Sequence, residues 1–480
     1  MFLDFPKPGK EQIDSIIYNA TQFGLANGLI MYPPAPYSDY SPVLAPVTLY
    51  PTPFPRDQFT KALRIAKSYN ELYANIVLEN KWLMNIIDDL ASHDKDFTGK
   101  LYECYLKAKD IGIPQNVSLA LIRNDYMLDE KSGLIKQVEF NTVSVSFGGL
   151  STKVGQLHQF LNKTGQYSSS GVEYYKNDNI QISQSASELA RGLYIGVDHY
   201  NKNHNPEKET IVLMVVQPNE RNAFDQRAVE YALFNNHNVQ LRRIDLPKVT
   251  EQVKIDPESR KLFYEGLEVS VVYYRSAYGP GDFTTPETWE ARVQLETSLA
   301  IKCPSLPTQL SGAKKIQQLL TDSEVLNKFI DNNVEEIEST FCAIHPLDSS
   351  SAGLKARKLA IEIPSNFVLK PQREGGGNNV YRENIPEFLK SLPENEWEGY
   401  ILMELIHPKV WANSILRNGE IVDDGIVSEL GIFGAYLMDE ANKKILSNEE
   451  LGYLLRSKTM GSDEGGVAAG FGCVDNICLF

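Results

Sequence analysis

The residues best suited to chemistry lie in one run, Lys370-Pro371-Gln372-Arg373-Glu374-Gly375-Gly376-Gly377-Asn378-Asn379-Val380-Tyr381. Three successive glycines let backbone N–H groups approach an anion closely, and such concavities bind phosphate. Lys370 and Arg373 add positive charge, and Glu374 offers a hard oxygen of the kind magnesium prefers. The run is neither a Walker A loop nor a GxGxxG fingerprint, because both fail on spacing. A bare glycine triplet reads as a surface turn, but the flanking Lys, Arg, Glu and Asn residues favour a phosphate loop.

Glu139 and Asn141, in Gln137-Val138-Glu139-Phe140-Asn141, alternate along a strand and so share a face. Beside Ser144, Ser146 and Gly148-Gly149 they form a two-oxygen set for a magnesium that keeps its waters. Alone, the pair reads more readily as a solvated face; Glu374 would complete a three-oxygen set if the fold brings the segments together. Lys314 follows Ser311-Gly312 at the start of a predicted helix, Lys314 to Leu320, where a cation and a helix terminus can meet a phosphate. Arg275 and Tyr278 directly follow a predicted strand. Arg456 and Lys458 precede the small-residue loop Gly465-Gly466-Val467-Ala468-Ala469-Gly470. Arginine pairs bidentately with carboxylates, and such a loop either closes over a site or is a plain structural turn.

Several elements must position these groups. Ile13, Ile16, Ile17 and Ala20 predict a first helix, and Phe59, Leu63, Ala66, Leu72, Tyr73, Ile76 and Val77 a long second one. Between them Pro33 to Pro55 carries eight prolines interleaved with Val43, Leu44, Val47, Leu49, Tyr50 and Phe54. That pattern predicts an extended chain laid over the core rather than a free polyproline ligand. Val117 to Ile122 and Ile135 to Phe140 read as strands joined through Lys131-Ser132-Gly133, placing Arg123 and Asn141 just past strand ends. Thr152 to Leu161 reads as a helix, followed by a polar connector from Gly165 to Asn179. From about Glu207, strand 211–216, helix 223–235, strand 239–244 and strand 269–274 alternate as in a small parallel α/β unit, with Pro247 to Arg260 as a polar interruption. Phe367-Val368-Leu369 forms a strand ahead of the glycine run.

With 42% hydrophobic and 23% charged residues the chain reads as globular and long enough for two or three structural units. A net charge of −15, from 47 basic and 62 acidic residues, argues against nucleic acid or an anionic membrane as partner. The first ten residues, MFLDFPKPGK, lack a secretory apolar core, no stretch is apolar enough to span a membrane, and the ending NICLF is not a prenylation box. The five scattered cysteines suit reduced thiols in a cytoplasmic protein.

In order along the chain, MYPPAPYSDYSPVLAPVTLYPTPFPR, IRNDYM, KQVEFNTVSVSFGGLS, NERNAFDQR, VVYYRSAYGPGDF, LSGAKKIQQLL, FVLKPQREGGGNNVY, YILMELI, VSELGIFGAYL and LLRSKTMGSDEGGVAAGFG resemble the eukaryotic glutathione synthetases, most closely those of fungi. The resemblance implies a mixed α/β ATP-grasp fold with an inserted parallel α/β substrate-binding domain and a mobile lid. It also implies a homodimer and an ATP-dependent ligation of γ-glutamylcysteine to glycine through an acyl phosphate. On this basis residues 1–206 and 307–480 would form the main domain, 207–306 the inserted one, about 340–425 the lid, 370–381 its glycine-rich loop and 461–472 a closing loop. Glu139, Asn141 and Glu374 would hold a pair of magnesium ions. Lys314, Lys370, Glu374, Gly375, Gly376, Gly377, Asn378, Asn379, Tyr381, Met403, Glu404, Ile406, Glu429, Lys458 and Glu464, with Glu139, would hold Mg-ATP. Arg123, Val143, Ser144, Val145, Ser146, Glu220, Arg221, Asn222, Gln226, Arg275, Ser276, Ala277, Tyr278, Arg456, Val467 and Ala468 would hold the peptide and glycine, with Arg123, Arg456 and Lys314 catalytic. Two positions depart from the family pattern: Leu405 stands where many members carry lysine, and Glu464 where animal members carry aspartate. Alternatives are the same chemistry with another acceptor, such as β-alanine, and a catalytically silent nucleotide binder. A nicotinamide enzyme is disfavoured by the missing GxGxxG.

Overall fold

The computed structural model describes residues 5–373, 377–463 and 465–480. Among these, three sheets carry the architecture. The largest, of nine strands, centres on the long hairpin Ile426–Asp439 and Lys444–Thr459. Val117–Leu128 and Ile135–Asn141 extend it on one side; Gly472–Asp475, Val47–Thr48, Ile415–Arg417 and Glu420–Val422 extend it on the other. Its pairings are antiparallel except Val47 with Val474.

Side chains alternate across this sheet, so register decides what shares a face. Glu429 pairs with Arg456 on one neighbour and Met127 on the other, and Asp125 pairs with Glu139 while Arg123 pairs with Asn141. The charged positions therefore collect on one face of four adjacent strands. The intervening Tyr126, Phe140, Leu430 and Leu455 turn to the opposite face and join the hydrophobic core built on helix Arg56–Leu78. Arg123 and Asn141 thus lie within paired strands rather than past strand ends. The apolar alternation breaks at Arg123 because the strand's polar face lines a cavity, while its backbone ladder runs on to Leu128.

A smaller antiparallel sheet has the order Ile344–Pro346, Tyr400–Glu404, Phe367–Pro371, Val380–Tyr381. Phe367, Leu369 and Leu402 pack under helices Ser351–Glu362 and Asn384–Ser391. The alternate residues Val368, Lys370 and Met403 face the large sheet across a gap.

The third sheet runs from residue 211 to 303. Gln240–Asp245, Ile211–Val216, Leu267–Arg275 and Ile301–Cys303 are parallel, and the hairpin strands Val253–Ile255 and Leu262–Tyr264 add antiparallel pairs. The stretch read as a polar interruption therefore holds a short helix, Val249–Gln252, and the strand that follows it. Arg275 is the last strand residue rather than the first after it.

Helices Lys10–Asn27, Gly148–Lys163, Ala223–His237 and Lys314–Leu320 match their sequence signals, and Asn80–His93, Lys100–Ile111 and Ser185–His204 add helices beyond those expected from the sequence. The proline-rich chain lies over the core as expected from Ala45 onward, where Val47, Leu49, Tyr50 and Phe54 are buried; Tyr40 and Val43 remain exposed.

Candidate active site

The three sheets meet at a cavity of about 1100 Å³. The small sheet contributes Val368, Lys370, Tyr381 and Met403, continued by Glu404, Leu405 and Ile406. The large sheet contributes Arg123, Met127, Glu139, Asn141, Val427, Glu429, Arg456 and Lys458. From the C-terminal ends of the parallel strands come Gln217, Glu220, Asn222, Arg275 and Tyr278, the end at which open α/β sheets bind ligands. Val143, Ser144, Val145 and Ser146 line the wall from the turn after Asn141, and Gly465 to Ala469 close it, with Val467 and Ala468 on the wall. Asn378 and Asn379 also line it.

At the centre is a buried charge network. Asp125, 1% exposed, receives Nε and Nη2 of Arg123 at 2.6 and 2.7 Å. It also receives Nδ2 of Asn141 at 2.9 Å and Nη2 of Arg456 at 3.1 Å. Arg456 in turn donates to Glu429 from Nε at 2.9 Å. The pair fits only because Gly431 lies beneath it: a Cβ there would stand 2.7 Å from both Arg123 Cδ and Asp125 Oδ1. Burial would lower the Arg456 guanidinium, but Glu429 and Asp125 outweigh it and hold the charge firmly. Burial pushes the Glu429 carboxyl up, with Asp125 and Glu139 adding to it against Arg456.

A second cluster adjoins it. Lys314 is not on the cavity wall itself; it is buried behind Glu139, with Nζ 3.0 Å from Oε2. Lys370 donates to the carbonyl of Val138 at 2.9 Å. Burial alone would raise the Glu139 carboxyl, but Lys314, Lys370 and Arg456 prevail and hold it well below the usual carboxylate range. Burial pulls the Lys370 ammonium down, opposed by Glu139. A carboxylate kept ionised beside two lysines is a natural seat for a metal–polyphosphate.

The donor chemistry fits magnesium. Both hydrogen bonds of the Asn141 amide nitrogen are made within the protein, to Asp125 and to the Arg123 carbonyl at 3.2 Å, which leaves the amide oxygen for the cavity. Glu139 and Asn141 supply two hard oxygens, enough for an ion that keeps waters and takes phosphate oxygens. Among the described residues no cluster of three His, Cys, Asp or Glu is gathered for a metal. Glu374, Gly375, Gly376 and Glu464 lie outside the described residues. Gly377 has φ +91°, the left-handed conformation a glycine run permits.

Not every expected contact residue reaches the cavity. Gln226 donates to Glu220 at 3.3 Å and accepts from Arg243, so it orients Glu220 from behind. Ser276 is buried against the Val215 carbonyl at 3.2 Å, and the Ala277 carbonyl accepts from Gln309 at 2.6 Å. Arg221 reaches the Ala468 carbonyl with Nη1 and the Tyr32 carbonyl with Nε. These four shape the wall without lining it. Two aspartates escaped sequence reading. Asp125 stands two residues from Arg123 on the same strand face, a spacing that was legible. Asp225 accepts the N–H groups of Phe147 and Gly149 at 2.9 and 2.7 Å and Nη2 of Arg275 at 3.1 Å, fixing the Ser144–Ser146 turn against the parallel sheet. No local pattern announces that convergence.

Residues 10–479 match the family described as eukaryotic glutathione synthase, ATP binding domain. The glutathione synthetase large chain of Schizosaccharomyces pombe is 35% identical, over 99% of this chain and 100% of that one. Glutathione synthetases of Dictyostelium discoideum and Homo sapiens are 36% and 35% identical, over 98% and 97% of this chain and 100% and 97% of theirs. A glutathione synthetase like-effector from Globodera pallida superposes with a TM-score of 0.76 at 22% identity, covering 99% of this chain and 98% of that one, which shows the fold. The chain belongs to the eukaryotic glutathione synthetase family.

Proposed function

We propose that the cavity joins the cysteinyl carboxyl of γ-glutamylcysteine to the amine of glycine, consuming ATP through an acyl phosphate. The chain is an ATP-dependent ligase of the glutathione synthetase family with an ATP-grasp type of fold; the substrates' placement and the metal are inferred here. One observation carries the reading: the ionised Glu139, backed by Lys314, lines the same cavity as Lys370 and the two arginines, Arg123 and Arg456, that Asp125 holds from behind.

In this reading the gap between the large and small sheets takes the nucleotide. Val368, Met403, Leu405, Ile406 and Val427 offer an apolar slot for its base. Lys370 faces its phosphates, with Lys314 adding positive charge from behind Glu139 and Lys458, Asn378, Asn379, Tyr381 and Glu404 around it. Magnesium would be held by Glu139 and Asn141, with Glu374 as the third donor the family resemblance implies, and would spread the negative charge of the transferring phosphoryl. The peptide lies toward Arg275, Tyr278, Asn222 and the Ser144–Ser146 turn, and glycine toward Val467 and Ala468.

The peptide carboxylate attacks the γ-phosphorus and ADP departs. The glycine amine then attacks the acyl carbon, phosphate leaves, and the amine proton goes with it. No protein nucleophile is needed, since phosphoryl transfer is a matter of positioning and charge stabilisation. Arg123 and Arg456 are held rigid by Asp125 and Glu429, so their remaining N–H groups meet developing charge without reorganisation. Closure over the cavity keeps water from the acyl phosphate.

We further propose that 207–306 works as the substrate-binding unit, with 1–206 and 307–480 forming the nucleotide-binding remainder, and that the enzyme is a cytoplasmic homodimer. Among the described residues no helix is long and apolar enough to cross a membrane. The test is ADP release from Mg-ATP and γ-glutamylcysteine with no acceptor, with glycine and with β-alanine. Glycine-dependent release with glutathione appearing in step supports the reading; preference for β-alanine changes the product, and no release with any acceptor overturns the reaction.

A further inference from the structure

The loop that closes the cavity is tied to its own sheet by Lys458 at the Asp463 carbonyl and by Arg417 at the Phe471 and Gly472 carbonyls, and two further arginines hold it from either side. From the small sheet, Nη1 of Arg382 lies 2.6 Å from Oδ1 of Asp463, joining segments 81 positions apart. Arg382 is set in place by its backbone: it has φ +49°, and its N–H donates to the Phe367 carbonyl at 3.1 Å. From the opposite side, Arg221 holds the Ala468 carbonyl. Its Nε donates to the Tyr32 carbonyl at 3.1 Å, and Tyr32 N–H returns to the Arg221 carbonyl at 3.0 Å. Arg382, Asp463 and Ala468 all line the cavity.

The two anchors differ in kind. Arg221 grips a backbone carbonyl and is itself braced twice, which suits a permanent mooring. Arg382 and Asp463 are about half exposed, at 46% and 50% of their side-chain surface. An exposed ion pair changes an equilibrium by about fivefold at most. That is too weak to hold the fold together and weak enough to break and reform in each turnover. Arg382 directly follows Val380–Tyr381, the edge strand on the nucleotide side, whereas Asp463 lies in the loop on the acceptor side, past the strand that ends at Thr459.

We propose that Arg382 and Asp463 are positioning residues that couple the two sides, so that the loop covers the acceptor only while the small sheet is closed over the nucleotide. The proposal rests on the ligase reading above. Neither side chain touches a reacting atom. Their effect is to keep water out between formation of the acyl phosphate and arrival of glycine.

The experiment compares the full chain with Arg382→Ala, Asp463→Ala and the charge swap Arg382→Asp/Asp463→Arg; aspartate tolerates the left-handed backbone at 382. Each single variant should raise the KM for glycine about two- to fivefold. ADP released per glutathione should rise above one, while the KM for ATP stays within about twofold. The swap should restore coupling, and high salt should bring the wild type toward the single variants. With a non-hydrolysable ATP analogue bound, amides 465–472 should exchange faster in Arg382→Ala. Unchanged glycine KM, coupling and exchange in both single variants, or a swap no better than they are, overturns the proposal. If the wild type makes no glutathione, the ligase reading fails and the proposal falls with it.

Discussion

The Lys314 ammonium lies 3.0 Å from Oε2 of Glu139 across 175 positions of sequence, joining the start of one short helix to one face of a strand. The contact keeps Glu139 ionised on the half-buried cavity wall and turns its other carboxylate oxygen toward a cation that the Asn141 amide oxygen, set by Asp125 and the Arg123 carbonyl, would share. Glu139→Gln keeps the shape and removes the charge. Turnover should fall at least about a hundredfold, the equivalent of losing about 3 kcal/mol of charge stabilisation. Circular dichroism should stay native-like, while the melting temperature should fall because the buried Lys314 loses its counter-ion. Near-normal glutathione formation by the variant would refute the metal assignment.

Asp125 is the shared anion of two arginines and an asparagine, 1% exposed and off the cavity wall. Removing one partner of a buried ion pair costs about 3–5 kcal/mol, because the remaining charge stays buried and unmatched. Asp125→Ala should therefore destabilise by that order in a denaturant melt and also abolish ordered presentation of Arg123 and Arg456. Asp125→Asn, which still accepts a hydrogen bond, should lose activity with a smaller drop in stability. Equal melting midpoints for Asp125→Ala and wild type would rule out this keystone role.

Local pattern made much of the site legible. The shared face of Glu139 and Asn141 follows from period-two logic and holds, and the helix does start at Lys314, although Ala313 before it offers no capping side chain. The strand end near Arg123 was misplaced because a polar run that lines a cavity looks like a loop until its ladder is seen. Helix Ser185–His204 was also within reach, since Leu189, Leu193, Val197 and Tyr200 recur at helical spacing, but its polar surroundings masked it. By contrast, Asp225 gathers Phe147, Gly149 and Arg275 from three remote segments, and Gly431 makes room beneath Arg123. Those are properties of tertiary register, which no window of sequence contains.

Asp475 is wholly buried and accepts from Thr48, Thr52 and Ser457 at 2.5 to 2.6 Å, pinning the proline-rich chain to the C-terminal strand. Burial, against those hydrogen bonds, pushes its carboxyl from 3.8 up to about 6. In that window the folded chain binds the proton more tightly than the unfolded chain. The stability this group contributes is therefore complete below about 4 and lost as pH rises through about 6. Asp475→Asn has no proton to lose. Its stability relative to wild type should rise by about 2 kcal/mol between about pH 4 and pH 7, read from urea midpoints. A difference that stays flat with pH would show that the three hydroxyls compensate the charge fully.

Leu405 stands where the family resemblance implies a lysine near the nucleotide, and it lines the cavity. Its N–H donates to the Asn366 carbonyl at 2.9 Å, and its side chain packs against Ile344, Val368, Ile401 and Met403. The apolar stem of a lysine would cover the same surface, so this chain keeps the wall and gives up the charged head. An apolar wall that touches the base equally before and during phosphoryl transfer contributes uniform binding. Leu405→Ala should accordingly raise the KM for ATP about fivefold, from about 1 kcal/mol of lost burial, with kcat within about twofold of wild type. Leu405→Lys should match or lower the wild-type KM, and more so at low salt, because an added cation near the phosphates is screened by ions. An unchanged KM in Leu405→Ala would place the nucleotide elsewhere in the cavity, and a fall in kcat alone would move position 405 from the base to the reacting phosphate.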